Sequence, residues 1–197
     1  MTIPFLDFIM ARAGRLWWAP LMIRLIGPFI SPGERVLDIG AGGGWVGEGL
    51  AKEKGAKVTL VDVADLNKTN LSLTVYDGRN LPFPDGSFDV SLLLFVLHHC
   101  EDPLRVLQEA VRAADKRVVI YEDTYASSLG RAFTCFNDFI SNAVFFISDP
   151  HKMNMPYNYK KVEEWEKIFA DLSLRILEKR VTKHAFTRHV LFVLEKS

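Results

Sequence analysis

Read for the alternation of apolar and polar positions, the chain changes character at Arg35. From there "RVLDI", "KVTLV", "LSLTV", "FDVSLLLFV" and "RVVIY" are short runs of β-rich apolar residues, separated by segments of helical or turn character. Near-continuous apolarity in such runs suits parallel strands covered by helices on both faces. After the first of them, "WVGEGLAKEKGA" reads as a helix closed by Gly55, where a left-handed cap is free of strain. Asp102 and Pro103 read as the N-cap and first residue of another helix, with Leu104, Leu107, Val111 and Ala114 on one stripe. Strand and helix alternate through Tyr121, which predicts a doubly wound α/β sheet.

Both ends depart from this rhythm. The opening "MTIPFLDFIMARAGRLWWAPLMIRLIGPFI" is apolar, but Arg12, Arg15 and Arg24 cut it into runs far shorter than the ~20 residues of a membrane span. The order of a signal peptide is also absent. The segment reads as helices interrupted near Pro20 and Pro28, serving as core packing or as a flap over a pocket. An interfacial helix with Trp17 and Trp18 at a membrane surface is the alternative. After Tyr121 the pattern loosens into an aromatic-rich, irregular stretch, and a helix returns near Lys161 with Val162, Trp165, Phe169 and Leu172 facing one way. "LRILEKRVT" and "RHVLFVLEKS" then predict two strands whose short connection favours an antiparallel pair at a sheet edge.

Composition excludes several partners. Lys plus Arg and Asp plus Glu number 24 each, with no concentrated basic run to follow a phosphate backbone, so nucleic acid is not an expected partner. The two cysteines, Cys100 and Cys135, form neither a disulfide framework nor a metal-ligand spacing. That fits a reducing compartment, and a cytoplasmic location without a bound metal is the expectation.

The stretch "VLDIGAGGGWVGEGL" puts six glycines behind Asp38. Glycines after a first strand let a ligand approach the main chain closely. Gly42, Gly44 and Gly47 satisfy the G-x-G-x-x-G pattern, with Asp62 about twenty residues on, so a nicotinamide-dependent oxidoreductase is one reading. Asp38 opposes it. A carboxylate at the carboxyl end of the first strand repels a pyrophosphate by roughly 4 kcal/mol per charge pair at ~4 Å and an effective dielectric of ~20. The same carboxylate suits a ligand carrying an ammonium and a sulfonium, as S-adenosylmethionine does. Asp62 ends "LVDV", placed to accept both ribose hydroxyls, with Val63 against an adenine face, and Asp77 follows the third strand, where it can accept from an adenine amino group.

Together "VLDIGAGGG", "LVDV", "YDGRNLPFPDGSFDVSLLLFVLHH" and the two closing strands resemble a class I S-adenosylmethionine-dependent methyltransferase, of the ubiquinone-biosynthesis-like or type 11 branch. The resemblance implies seven strands in the order 3-2-1-4-5-7-6, the last antiparallel. It implies that Asp38 with Gly40, Ala41, Gly42 and Gly44 holds the methionine part of S-adenosyl-L-methionine. It further implies Asp62 and Val63 at the ribose and adenine, Asp77 and Gly78 at the adenine, and Phe95 at the methionine end through its backbone. Trp45 departs from the pattern, since smaller residues are common there. On this reading residues 1–197 form one domain: 1–30 a helical flap, 31–122 the cofactor-binding half, and 123–197 an acceptor-side insertion with the closing strands.

Methyl transfer needs alignment and exclusion of water, and a base only for a protonated nucleophile. Candidate catalytic groups are His98 and His99 after the fourth strand and Glu122, with Asp123, after the fifth. Phe133, Phe136, Phe139, Phe145 and Phe146 are expected as core or as the lining of an acceptor pocket, closed by His151, Tyr157 and Tyr159. No Asn-Pro-Pro-aromatic motif follows the fourth strand, and Cys100 follows His99 where a Pro-Cys nucleophile would be needed. A small or lipid-like, partly apolar acceptor remains. A non-catalytic S-adenosylmethionine-binding protein on the same fold is the third reading.

Overall fold

The computed structural model of the chain describes residues 14–145, 156–183 and 187–196, and of 141–145 the backbone alone. Phe146 and His151, the side chain of Phe145 and the first thirteen residues, all expected to contribute to the core, a pocket or a flap, lie outside these. Seven strands form one sheet in the order β3-β2-β1-β4-β5-β7-β6. They are β1 (Arg35–Ile39), β2 (Lys57–Asp62), β3 (Leu73–Val75), β4 (Phe88–Leu94), β5 (Ala114–Thr124), β6 (Leu174–Lys183) and β7 (Arg188–Lys196). The first five pair parallel, while β7 runs antiparallel to both β5 and β6. An all-parallel dinucleotide-binding sheet has no such reversed strand between its fifth strand and its edge.

Helix α1 (Ala19–Ile26) follows a five-residue π-type turn over Gly14–Trp18, with Pro20 in its first turn, and Pro28 falls in a 3₁₀ turn over Gly27–Phe29. Both prolines therefore stand where the backbone changes type, as the sequence suggests. Helix α2 (Trp45–Lys54) ends on Gly55 at φ 66°. Helix α3 (Pro103–Ala113) begins at Asp102, whose side chain accepts from the Arg105 N–H at 3.0 Å. Asp102→Ala leaves that amide without its cap and is expected to cost about 1 kcal/mol, lowering the thermal midpoint by roughly 2–4 °C. Thermal unfolding of the variant measures it; no change would mean that water caps the helix equally well.

Strand parity divides the core. Leu37, Ile39, Leu93, Val118, Ile120, Phe192 and Leu194 face a layer that holds α3 and Trp165 and Phe169 of α5 (Val162–Asp171). Val36, Val90, Leu92, Leu94, Val119, Leu191 and Val193 face α1 and α2 through Ile23, Ile26, Val46 and Leu50. Glycines bring that second layer close: a Cβ on Gly47 would stand 2.6 Å from Leu60 Cδ2, and one on Gly49 2.1 Å from Ile23 Cδ1.

Two regions differ from the sequence reading. β5 continues to Thr124, so Glu122 and Asp123 lie inside the strand, paired with Val190 and His189 of β7, rather than after it. Adjacent residues of a strand face opposite ways, which places their carboxylates on opposite sides of the sheet. The stretch beyond Tyr121 also contains an 18-residue helix, α4 (Ser128–Phe145). Its buried positions include Thr134 and Asp138, while Leu129, Phe133, Phe136, Phe139 and Ile140 are exposed. Phe133, Phe136 and Phe139 are thus not core, and the inverted pattern is what hides the helix from a reading that expects apolar residues inside. Among the described residues no helix is long and apolar enough to cross a membrane.

Candidate active site

The turn between β1 and α2 is built on glycines for two separate reasons. Gly40, Gly42 and Gly44 have φ of 70°, 52° and 75°, a region that side chains rarely enter. A Cβ on Gly40 would lie 2.6 Å from Val96 Cγ2, whereas one on Gly42 would meet nothing within 4 Å. Gly42 therefore borders open space at the carboxyl end of β1. Four amides of this turn are spent within the protein. Gly40 and Ala41 donate to the Val61 carbonyl at 2.8 and 3.2 Å, Gly42 to Asp62 Oδ2 at 2.8 Å and Gly44 to the Ala41 carbonyl at 2.9 Å. A pyrophosphate needs those donors, whereas an ammonium needs acceptors.

Asp38 lies under the turn, only 3% exposed. Burial raises its pKa to about 7, the Asp62 carboxylate adds to the rise, and a hydrogen bond from the Gly47 N–H opposes it. A buried carboxylate of this kind is stabilised in its charged form by a positive neighbour. Asp62 takes the amides of Gly42 and Val63, one on each oxygen, at 2.8 and 2.7 Å. Each oxygen keeps a second lone pair, and the Val63 side chain is 61% exposed beside it. S-adenosylmethionine fits this set: an acceptor for its ammonium at Asp38, a backbone that leaves room at Gly42, and acceptors for a diol at Asp62.

One predicted contact, Asp77, is placed differently. Asp77 is turned into its own loop, accepting from the amides of Arg79 and Asn80 at 2.8 and 2.7 Å and from Asn80 Nδ2 at 3.1 Å. The Asn80 amide, then that of Arg79, holds its carboxyl down to about 2. Its evident task is to fix the turn that brings Gly78 against Val63, 3.2 Å from where a Gly78 Cβ would stand. Phe95 has φ 59°, and its N–H donates to the Tyr121 carbonyl at 2.7 Å, which leaves its carbonyl as the backbone group a ligand can use. Trp45 is accommodated by glycines: Cβ atoms on Gly14 and Gly43 would stand 2.3 and 2.8 Å from its indole.

Two histidine–carboxylate groups flank Phe95. On the face shared with Asp38, Asp123 Oδ1 lies 2.8 Å from His189 Nδ1. The Phe95 ring packs edge-on against Tyr121 and His189, with centroids 5.0 and 5.4 Å away, and Trp18 lies 6.3 Å from Phe95. On the opposite face, Glu122 accepts from the amides of Val96 and Leu97 at 2.8 and 2.7 Å, and its other oxygen lies 2.5 Å from His98 Nδ1. Burial pulls the His98 pKa down, but Glu122 outweighs it and the net direction is upward. His99 is lowered to about 4, by burial first and by His98 next. The His98 ring stacks on Tyr159 at 4.8 Å, and Tyr159 donates to Asp138 Oδ2 at 2.6 Å.

The sequence reading did not find Asp138 or His189. The partnership of Asp123 with His189 depends on the β5–β7 register, which no local pattern encodes, and Asp138 is the polar inner face of the helix described above.

Residues 37–121 match the family model described as a methyltransferase domain (Methyltransf_11). The demethylmenaquinone methyltransferase of Renibacterium salmoninarum is 27% identical over 146 residues, covering 70% of this chain and 60% of the relative. The ubiquinone biosynthesis O-methyltransferase of Xanthomonas campestris pv. campestris is 38% identical over 90 residues, covering 39% and 37%. A putative methyltransferase structure from Bacillus halodurans superposes with a TM-score of 0.66 at 14% identity, over 90% of this chain and 98% of the other, a likeness of fold. The chain spans between 20% and 60% of the length of these and similar curated relatives.

Proposed function

We propose that this chain is a class I S-adenosylmethionine-dependent methyltransferase that transfers the methyl group of S-adenosyl-L-methionine to a small or lipid-like, partly apolar acceptor, a reading supported by the methyltransferase-domain match and the methyltransferase relatives. When bound, the cofactor supplies an electrophilic methyl group on a sulfonium. The observation that carries the reading is Asp38: an acid buried to 3% exposure, raised to about 7, beneath a turn in which the amides of Gly40, Ala41, Gly42 and Gly44 are already committed. It recognises a cation and rejects a phosphate.

In this reading Asp38 and the backbone from Gly40 through Ala41 and Gly42 to Gly44 hold the ammonium end. Asp62 holds the ribose, Val63 and Gly78 border the adenine, and Asp77 sets the turn that positions Gly78. The acceptor lies toward Trp18, Phe95, Tyr121 and His189, the aromatic wall on the same sheet face as Asp38. Those rings exclude water from the line of displacement and favour an apolar body. His189, with Asp123 behind it, is placed to receive a proton from a hydroxyl acceptor. Glu122 acts on the other face as a positioning residue for His98 and the turn that carries His99. The quinone-pathway names of two relatives support an acceptor of this kind.

Thermal unfolding with S-adenosylhomocysteine, with NADH and with buffer alone tests the cofactor assignment. At ~100 times its dissociation constant the homocysteine compound is expected to add about 2.7 kcal/mol and raise the midpoint by roughly 5–10 °C, with NADH inert. A shift with NADH alone would replace this reading by the oxidoreductase one.

A further inference from the structure

The face of the sheet opposite Asp38 holds a cluster that methyl transfer does not use. His98 and His99 sit in the 3₁₀ turn Leu97–His99, and both present Nε2 to one atom, Asp138 Oδ1 of α4, at 4.0 and 3.9 Å. Those separations exceed any hydrogen bond, yet the three donor atoms lie within 4.8 Å of one another in a largely buried place.

We propose that His98, His99 and Asp138 form a site for one divalent transition-metal cation of the zinc class. Two imidazole nitrogens and a carboxylate oxygen select that class over magnesium or calcium, which take mainly oxygen ligands. Metal bonds of ~2.0–2.1 Å put tetrahedral ligand atoms roughly 3.3–3.4 Å apart, so the two contacts to Asp138 Oδ1 have to close by about 0.6 Å and the two imidazole nitrogens, which lie within 4.8 Å of each other, by up to about 1.5 Å. The surroundings are those of a ligating set. Glu122 engages Nδ1 of His98, which fixes the tautomer that leaves Nε2 with its lone pair free to ligate. Tyr159 holds the other oxygen of Asp138 at 2.6 Å, orienting Oδ1 inward. Three protein ligands leave a fourth position open, and the ion ties α4 to the turn after β4.

The test is titration of chelator-treated protein with cobalt(II), read by its visible d–d absorption, and with zinc(II), read by calorimetry and thermal midpoint. The expected result is one cobalt per chain with the intense bands of a four- or five-coordinate site, displaced by zinc, together with a higher midpoint. Asp138→Asn and His99→Gln are expected to abolish the bands; His99 is 28% exposed at its side chain, so its variant tolerates loss of packing. Glu122→Gln offers an amide N–H to His98 Nδ1, forces the proton onto Nε2 and is expected to weaken cobalt binding by about 10–100-fold. Absence of saturable binding, or binding unaltered in both ligand variants, overturns the proposal in favour of a water-filled cluster. The S-adenosylhomocysteine shift is measured on the same samples. A protein that keeps that shift without binding metal refutes the metal site alone, and one that binds metal without the shift refutes the cofactor reading alone.

Discussion

Asp38→Asn is expected to make the cofactor-free protein more stable at pH 8 and to weaken S-adenosylhomocysteine binding roughly 30–1,000-fold. The two effects share one cause. Burial, with Asp62 nearby, raises the Asp38 pKa to about 7, against about 3.9 in an unfolded chain. Between those values the native state holds a proton that the unfolded state has released, so stability falls as pH rises from ~4 to ~7 and stays low above. The whole difference corresponds to ~4 kcal/mol. Asparagine keeps the shape and an acceptor for the Gly47 amide but carries no charge. Recovery of even half the cost would lift the midpoint by about 4–8 °C.

That advantage should shrink as pH is lowered from 8 and be nearly gone at pH 4, where wild-type Asp38 is protonated in the native state and half protonated in the unfolded one. Cofactor binding has the opposite sign. An ammonium favours the ionised carboxylate, so wild-type affinity should fall as pH drops below ~7, and calorimetry in buffers of different ionisation enthalpy should detect proton release on binding near pH 6–7. A purely structural Asp38 predicts otherwise: the asparagine variant would lose stability at every pH and keep its affinity. Thermal melts across pH with and without S-adenosylhomocysteine separate the two.

The apolar runs of the chain made the sheet legible because its central strands are buried on both faces, and the resemblance supplied the strand order; the structure agrees in both. Asp38 and Asp62 could be singled out as well, because a strand-end carboxylate, before glycines in the case of Asp38, is a local pattern. What could not be read depends on register and tertiary pairing. Glu122 and Asp123 look like one acidic pair in sequence, yet β5 runs through them and sends them to opposite faces, one to His98 and one to His189. Asp77 sits at the strand end where a ligand contact is reasonable, but the chain curls back within three residues and Asn80 claims the carboxylate. Asp138 is hidden because α4 shows phenylalanines to solvent and its acid to the protein.

The glycine turn allows a test in which backbone strain cancels. Gly40 and Gly42 both have positive φ, 70° and 52°, so alanine pays a similar conformational penalty of about 1–2 kcal/mol at either. They differ in what the new methyl group meets. At Gly40 it lands 2.6 Å from Val96 Cγ2, a β-branched side chain fixed beside the turn that carries His98 and His99. Relief requires the turn or Val96 to move, adding roughly 1–3 kcal/mol of overpacking. Gly40→Ala is therefore expected to lower the midpoint by about 5–15 °C. At Gly42 the methyl group meets no protein atom within 4 Å, so the midpoint should fall by only ~2–6 °C. The space it enters is the space proposed for the cofactor. Gly42→Ala should accordingly lose most of the thermal shift with S-adenosylhomocysteine, out of proportion to its small loss of stability. If Gly42→Ala binds as the wild type does, the cofactor lies elsewhere and the open side of the turn has another purpose.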